Sequence, residues 1–167
     1  MNLLFTTSAI VAVISTAMVI TRTVAVHALL YLIVSLLAVA IIFATLGAPF
    51  AAALEIIIYA GAIMILFVFV VMMLNIDQRD AARESAWLTP GSWIGPAILS
   101  GLLVVELIYS ALADGLPGRA AAVIGPKQVG LALYGPYLLA VELASLLLLA
   151  GLVSAFHLGR DINERGS

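Results

Sequence analysis

Apolar residues fill most of the chain in long runs that polar segments interrupt only briefly. A helix that crosses a bilayer needs about 20 consecutive and predominantly apolar residues. The pattern therefore predicts five membrane-spanning helices, at about residues 3–21, 26–46, 51–75, 93–113 and 135–157. We expect an all-α polytopic membrane protein in which all 167 residues form a single membrane domain.

The segments between the predicted spans carry signals that end helices. Gly47 and Pro49 predict a tight turn after the second span, because glycine favours helix ends and proline cannot continue a helix. Polar links follow the third span, at 76–92, and the fourth span, at 114–134. Gly135 and Pro136 are expected to open the last helix, and residues 158–167 form a tail.

The positive charges predict how the spans are oriented. One side of the predicted spans carries five arginines, namely Arg22, Arg79, Arg83, Arg160 and Arg165. The other side carries only Arg119 and Lys127. Arginine and lysine are enriched on the cytoplasmic side of membrane proteins. We therefore expect the N-terminus outside and the C-terminus in the cytoplasm.

The composition limits what the chain can bind. The sequence is 65% hydrophobic and 10% charged, which leaves no room for a soluble domain. It has no cysteine, so disulfides and thiolate ligation of zinc or iron–sulfur clusters are excluded within this chain. His27 and His157 are far apart in sequence, and no metal or cofactor site is predicted. A net charge of −2 without a basic run argues against nucleic acid.

Three carboxylates fall inside predicted spans, namely Glu55, Glu106 and Glu142. With a rise of about 1.5 Å per residue, Glu55 lies roughly 6 Å from the outer end of its helix, and the other two lie about 10 Å from theirs. An ionised carboxylate at such a depth costs a few kcal/mol or more. No lysine or arginine lies inside a span. We therefore expect these acids to be protonated, hydrated or paired with another subunit, with no partner from this chain.

Each acid allows a second interpretation. Glu55 is shallow enough to extend toward the outer headgroups, or it faces a protein interface or a water-filled path. For Glu142 the functional interpretation is favoured, because it is deeper and Ser145 lies one turn further on. Glu106 is either a helix-contact residue or a proton site.

The third span contains a weak point. Glu55 and Tyr59 are four residues apart and share a helix face, and Gly61 follows in the middle of the span. Glycine in a membrane helix often permits close helix packing. The alternative is a π-bulge at residues 59–63, for which small residues leave room. Loss of such a bulge would rotate one half of the helix against the other by about 100°.

Four segments resemble a known family. They are VHALLYLIVSLL (26–37), LEIIIYAGAIMILFVFVVMMLN (54–75), WIGPAILS (93–100) and LYGPYLLAVELASLLLLAGLVSAFHLGR (133–160). These segments are similar to the J subunits of bacterial respiratory complex I, the proton-pumping NADH:quinone oxidoreductase. The similarity runs through nearly the whole chain and is weakest at 77–85 and 114–127.

The resemblance implies a location, partners and site residues. It implies a subunit of the bacterial plasma membrane, packed beside the A and K subunits, between the quinone-binding H subunit and the antiporter-like pumps. NADH, FMN, iron–sulfur clusters and quinone would then lie in partner subunits, with no cofactor in this chain. Glu55, Tyr59 and Gly61 match the family's third-helix motif, and Glu142 matches its last-helix acid. Glu106 does not belong to the family's pattern, so any role would be specific to this protein.

Taken with the residues, the resemblance predicts a non-redox subunit that couples quinone reduction to proton translocation. Coupling would use a switchable third helix and interface carboxylates. One alternative is an accessory subunit of a cation/proton antiporter or of a membrane-bound hydrogenase. Another is a purely structural clamp within the same enzyme.

Overall fold

The computed structural model describes residues 3–22, 25–74, 90–113 and 123–164. Within these ranges the chain forms helices and turns and contains no strand. The elements in chain order are α1 (Leu3–Thr21), α2 (Ala25–Thr45), α3 (Pro49–Leu54), a π-helical segment (Glu55–Ile63, called the π segment below), α4 (Met64–Leu74), α5 (Pro90–Ala113), α6 (Pro126–Leu133) and α7 (Leu138–Glu164).

Five helices of the described part of the chain are long and apolar enough to cross a membrane. They cover Leu3–Thr21, Ala25–Thr45, Pro49–Val71, Trp93–Leu112 and Leu138–Gly159. The third of them, called the third span below, joins α3, the π segment and α4 end to end. The prediction of an all-α protein with five spans is therefore confirmed. Its orientation stays a prediction. Arg79, Arg83, Arg119 and Arg165 lie outside the described residues, as do residues 75–89 and 114–122 of the two links.

The helices divide into two units, Met1–Ile124 and Gly125–Ser167. In the first unit α1 and α2 form a hairpin, and α5 packs on both. Their shared core contains Val11 from α1, Val34 and Ala38 from α2, and Leu103 from α5. Two hydroxyls join α1 to α2, because Thr16 Oγ1 and Ser35 Oγ lie 2.8 Å apart. These three helices form the best-packed part of the chain.

The turn between α2 and α3 follows from Gly47 and Pro49. Gly47 has a φ of 83°, in the left-handed region that glycine adopts at least cost. The Gly47 N–H donates to the Ala44 carbonyl at 3.2 Å, and the Ala48 N–H donates to the Phe43 carbonyl at 3.0 Å. This pair of bonds is a Schellman motif, which ends α2. Pro49 then begins α3, as the sequence predicts.

The second unit contains α6 and α7. Pro126 begins α6, and the Gln128 side chain accepts a hydrogen bond from the Gly125 N–H at 3.2 Å. This helix lies within the link 114–134 that the sequence predicts between the fourth and fifth spans. Residues 134–137 form turns, so α7 begins at Leu138 and not at Gly135. The later start leaves Glu142 only about 6 Å along its helix.

Candidate functional site

The π segment holds three of the predicted site residues, Glu55, Tyr59 and Gly61. Its hydrogen bonds include one from the Met64 N–H to the Tyr59 carbonyl, five residues earlier, where an α-helix would pair residues four apart. Residues 59–63, for which the sequence left a π-bulge and close packing as alternatives, lie inside this segment. The segment begins earlier than that, at Glu55.

Gly61 is adapted to the wider π turn. A Cβ added at Gly61 would lie 3.2 Å from the carbonyl oxygen of Ile56, five residues earlier. That distance is tighter than side chains ordinarily tolerate, so any larger residue would push against the turn. Among the described glycines of the spans, Gly101 offers a contrast, because a Cβ there meets nothing within 4 Å.

The π segment has few fixed contacts within the chain. It packs along α2, yet none of its nine residues is buried. Tyr59 is 50% exposed, and Glu55 is half-buried. The next residue, Met64, is buried and anchors the start of α4. The segment is therefore held at its ends, while its polar side chains remain accessible to lipid, water or another protein.

Glu106 lies on α5 and has a partner in the same chain. The Thr7 hydroxyl of α1 donates to Glu106 Oε2 at 2.6 Å. The expectation that this chain supplies no partner for its acids is therefore wrong for Glu106. Thr7 was missed because 99 positions separate the two residues, and only the packing of α5 on α1 brings them together.

Glu142 lies on α7, in the second unit, and its side chain is exposed. Ser145 lies one turn after Glu142, but its hydroxyl does not bind the Glu142 carboxylate. The Ser145 hydroxyl donates instead to the Glu142 main-chain carbonyl at 2.7 Å. This bond satisfies a hydroxyl within its own helix, as is common for serine in membrane helices. The interpretation of Glu142 therefore depends on its position alone.

The predicted site residues thus fall into three places. Glu55, Tyr59 and Gly61 share the π segment, Glu106 pairs with Thr7, and Glu142 belongs to the other unit. Within the described ranges, no three His, Cys, Asp or Glu side chains come together as a metal site. The arrangement contains a helix with an irregular turn and protonatable groups within candidate membrane spans. Those are features found at functional sites of membrane proteins that move ions.

Comparison with known proteins identifies the family. Residues 15–158 match the family NADH-ubiquinone/plastoquinone oxidoreductase chain 6. The chain is 56% identical to NADH-quinone oxidoreductase subunit J of Escherichia coli K12 over 161 residues, which cover 96% of this chain and 88% of that protein. It is 57% identical to subunit J of Pseudomonas aeruginosa over 162 residues, covering 96% of this chain and 98% of that protein.

A more distant relative, subunit J of Buchnera aphidicola subsp. Schizaphis graminum, is 48% identical over 161 residues, with 96% of this chain and 99% of that protein covered. The chain belongs to the family of NADH-quinone oxidoreductase chain 6 proteins, in which the bacterial members are named subunit J. It is a multi-pass membrane subunit of that enzyme complex, complex I. The predicted resemblance is confirmed.

Proposed function

We propose that this subunit couples quinone reduction to proton translocation by a change of register in the third span. The observation that carries the proposal is the π segment, in which Gly61 fits a turn that a Cβ would crowd at 3.2 Å. A π turn differs from an α turn by one residue, so a change between the two registers shifts the hydrogen bonds of the helix by one residue. Such a segment suits a two-state element within a membrane helix.

The register change has a defined hydrogen-bond signature. In the π register the Met64 N–H donates to the Tyr59 carbonyl. In the α register the same N–H would donate to the Ala60 carbonyl, four residues earlier. The change rotates the part of the span before the turn by about 100° relative to α4. Glu55 and Tyr59 then move relative to Phe67 and Phe69, which opens or closes a hydrated path beside the span.

The carboxylates act at subunit interfaces in this proposal. Glu55 and Glu142 are placed where partner subunits or water must cover them, because lipid does not solvate a carboxylate. The partners are the A, K and quinone-binding H subunits and the antiporter-like subunits. NADH, FMN, iron–sulfur clusters and quinone are bound by partner subunits, so this chain contributes to translocation and not to electron transfer. The relatives' names favour this role over an antiporter or hydrogenase accessory subunit.

The proposal includes a location and an orientation. The chain lies in the bacterial plasma membrane with its N-terminus outside and its C-terminus in the cytoplasm. The sequence has no cysteine, so single cysteines introduced at Thr21 and Tyr134 can be labelled without background. In intact cells a membrane-impermeant thiol reagent should label the cysteine at 134 and spare the cysteine at 21. The reverse pattern would contradict the orientation.

The coupling role is tested by Gly61→Ala, with Gly101→Ala as the matched control. Both variants gain the same helix propensity, but only Gly61→Ala places a Cβ against the Ile56 carbonyl. A penalty of about 1 kcal/mol on the π register shifts the equilibrium between registers about fivefold. We expect Gly61→Ala to lower NADH:quinone turnover and proton pumping in sealed vesicles by similar factors. Gly101→Ala should lower neither.

The structural-clamp alternative predicts a different outcome. If Gly61→Ala and Gly101→Ala give equal turnover and pumping, the π segment is not a moving part. The combined variant Glu55→Gln, Tyr59→Phe and Gly61→Val sharpens this test. Normal turnover and pumping in an assembled enzyme with all three changes would leave the subunit only a structural role.

A further inference from the structure

The hydrogen bond between Thr7 and Glu106 joins the second turn of α1 to the second-last turn of α5. Thr7 lies four residues after Leu3, about 6 Å into α1, and Glu106 lies seven residues before Ala113, about 10 Å from the end of α5. We propose that Thr7 and Glu106 form a proton-binding site inside the membrane, in which Glu106 binds the proton and Thr7 is a positioning residue. Neither residue belongs to the third span.

The Thr7 hydroxyl has more acceptors than it can serve at once. Its Oγ1 lies 2.6 Å from Glu106 Oε2, 2.9 Å from the Leu3 carbonyl and 3.1 Å from the Leu4 carbonyl. A hydroxyl carries one hydrogen and accepts with two lone pairs. The hydrogen therefore goes either to the carboxylate or to a main-chain carbonyl, and the choice depends on Glu106.

Both protonation states of Glu106 are satisfied without moving a heavy atom. When Glu106 is ionised, Thr7 donates to the carboxylate, and 2.6 Å is the length expected of a charge-assisted O–H···O⁻ bond. When Glu106 is protonated, its own O–H donates to Thr7 Oγ1, and Thr7 donates to the Leu3 carbonyl at 2.9 Å. One proton binds or leaves, and the hydroxyl hydrogen turns from one acceptor to the other.

The helices that pack on α5 carry few ionisable side chains near the Glu106 carboxyl group. The helices that pack on α5 are α1 and α2. Residues 3–21 contain no ionisable side chain, and in residues 25–45 the titratable groups are His27 and Tyr31. Both residues lie in the early part of α2, at the end of that helix that is remote from Glu106. The Arg22 guanidinium lies over the Tyr31 ring, 5.4 Å from its centroid. Residues 3–21 and 25–45 therefore supply no lysine or arginine to form an ion pair with Glu106.

Infrared difference spectroscopy of the purified complex, between acid and alkaline pH, tests the site. We expect a protonated-carboxyl C=O band that is lost in Glu106→Gln. In Thr7→Val, which keeps the shape but removes the hydroxyl, the band should move to higher frequency, because its hydrogen bond is gone. In Thr7→Ser, which keeps the hydroxyl, the band should return to its original position.

Two outcomes would overturn the proposal. One is a spectrum in which Glu106→Gln removes no pH-dependent carboxyl band, since Glu106 would then not bind a proton. The other is a band whose frequency is the same in Thr7→Val as in the unaltered enzyme. If Glu106→Gln prevents assembly, the band frequencies in Thr7→Val and Thr7→Ser test the proposal, because both variants keep the carboxyl group. The proposal does not depend on the switch in the third span, so the band should persist in Gly61→Ala.

Discussion

The hairpin of α1 and α2 and the third span contain similar apolar residues, but they are packed in different ways. In the hairpin, small side chains bring the helices close, and Val11, Val34 and Ala38 are buried against Leu103 of α5. Hydroxyls also join the two helices, through Thr16 and Ser35. In the third span, the π segment packs on α2 without burying any of its residues.

Under the proposed function, this difference separates a scaffold, the hairpin of α1 and α2, from a mobile element, the π segment. A well-packed interface has one good arrangement, and shifting it would break many contacts at once. A segment with few buried contacts and an irregular turn has less to lose when its register changes. Glu55 and Tyr59, two of the groups proposed for coupling, lie on that segment, and the segment packs on the hairpin through α2. The comparison can be tested by substitutions that treat both regions alike.

The largest effect is expected from Ala38→Leu in the scaffold. Ala38 is fully buried, and three additional carbon atoms would force α1, α2 and α5 apart. Overpacking of this kind costs about 1–3 kcal/mol. We expect the purified complex to lose this subunit at a clearly lower temperature. Ala17→Leu on the exposed side of α1 is the control. If it lowered the dissociation temperature as much as Ala38→Leu, the hairpin core would not be the tightest contact.

A smaller effect is expected when equivalent truncations are compared between the two regions. Val11 is 1% exposed, and Ile57 of the π segment is 65% exposed. Val11→Ala should lower stability by about 1 kcal/mol, because buried methyl groups are removed and a cavity remains. Ile57→Ala should change the thermal dissociation of the subunit by less than Val11→Ala, although it deletes more atoms. The opposite order would contradict the distinction between scaffold and mobile element.

The smallest effect is expected from the hydroxyl pair on α1 and α2. A double-mutant cycle with Thr16→Val and Ser35→Ala isolates the interaction across 2.8 Å. Interhelical hydrogen bonds in membrane proteins contribute about 0.6 kcal/mol on average, because the separated helices find other partners. We expect a coupling energy of that size from thermal unfolding of the four proteins. If the stability effects of Thr16→Val and Ser35→Ala were strictly additive, the two hydroxyls would not interact, and apolar packing alone would hold the hairpin.

The spans could be predicted from the sequence because bilayer thickness sets the minimum length of a spanning apolar run, and five runs in the chain reach that length. The turn at Gly47 and Pro49 was predictable for a similar reason, since both residues restrict the backbone locally. The start of α7 was placed three residues too early, because Gly135 and Pro136 suggested a helix start, whereas both lie in the turns at 134–137 that precede Leu138. Local sequence signals therefore predicted the helices and turns, with errors of a few residues at the helix ends.

The site was less predictable, because it depends on pairing between distant residues. Glu55, Tyr59 and Gly61 are neighbours in sequence, and their pattern left an irregular turn as one of two alternatives, beside close helix packing. Thr7 carries no mark in the sequence, since threonine is common in membrane helices and its partner, Glu106, lies on another helix. A short polar residue near a helix start, within one turn of the depth of an acid in a later span, is the signal that could have identified it.

The central claim is that the third span changes register during turnover. Structures of the intact enzyme at rest and during NADH oxidation, at a resolution that shows carbonyl groups, test it directly. The account predicts that the Met64 N–H pairs with the Tyr59 carbonyl in one state and with the Ala60 carbonyl in the other, and that Tyr59 rotates by about 100°. The same register in every state of an actively pumping enzyme would contradict it.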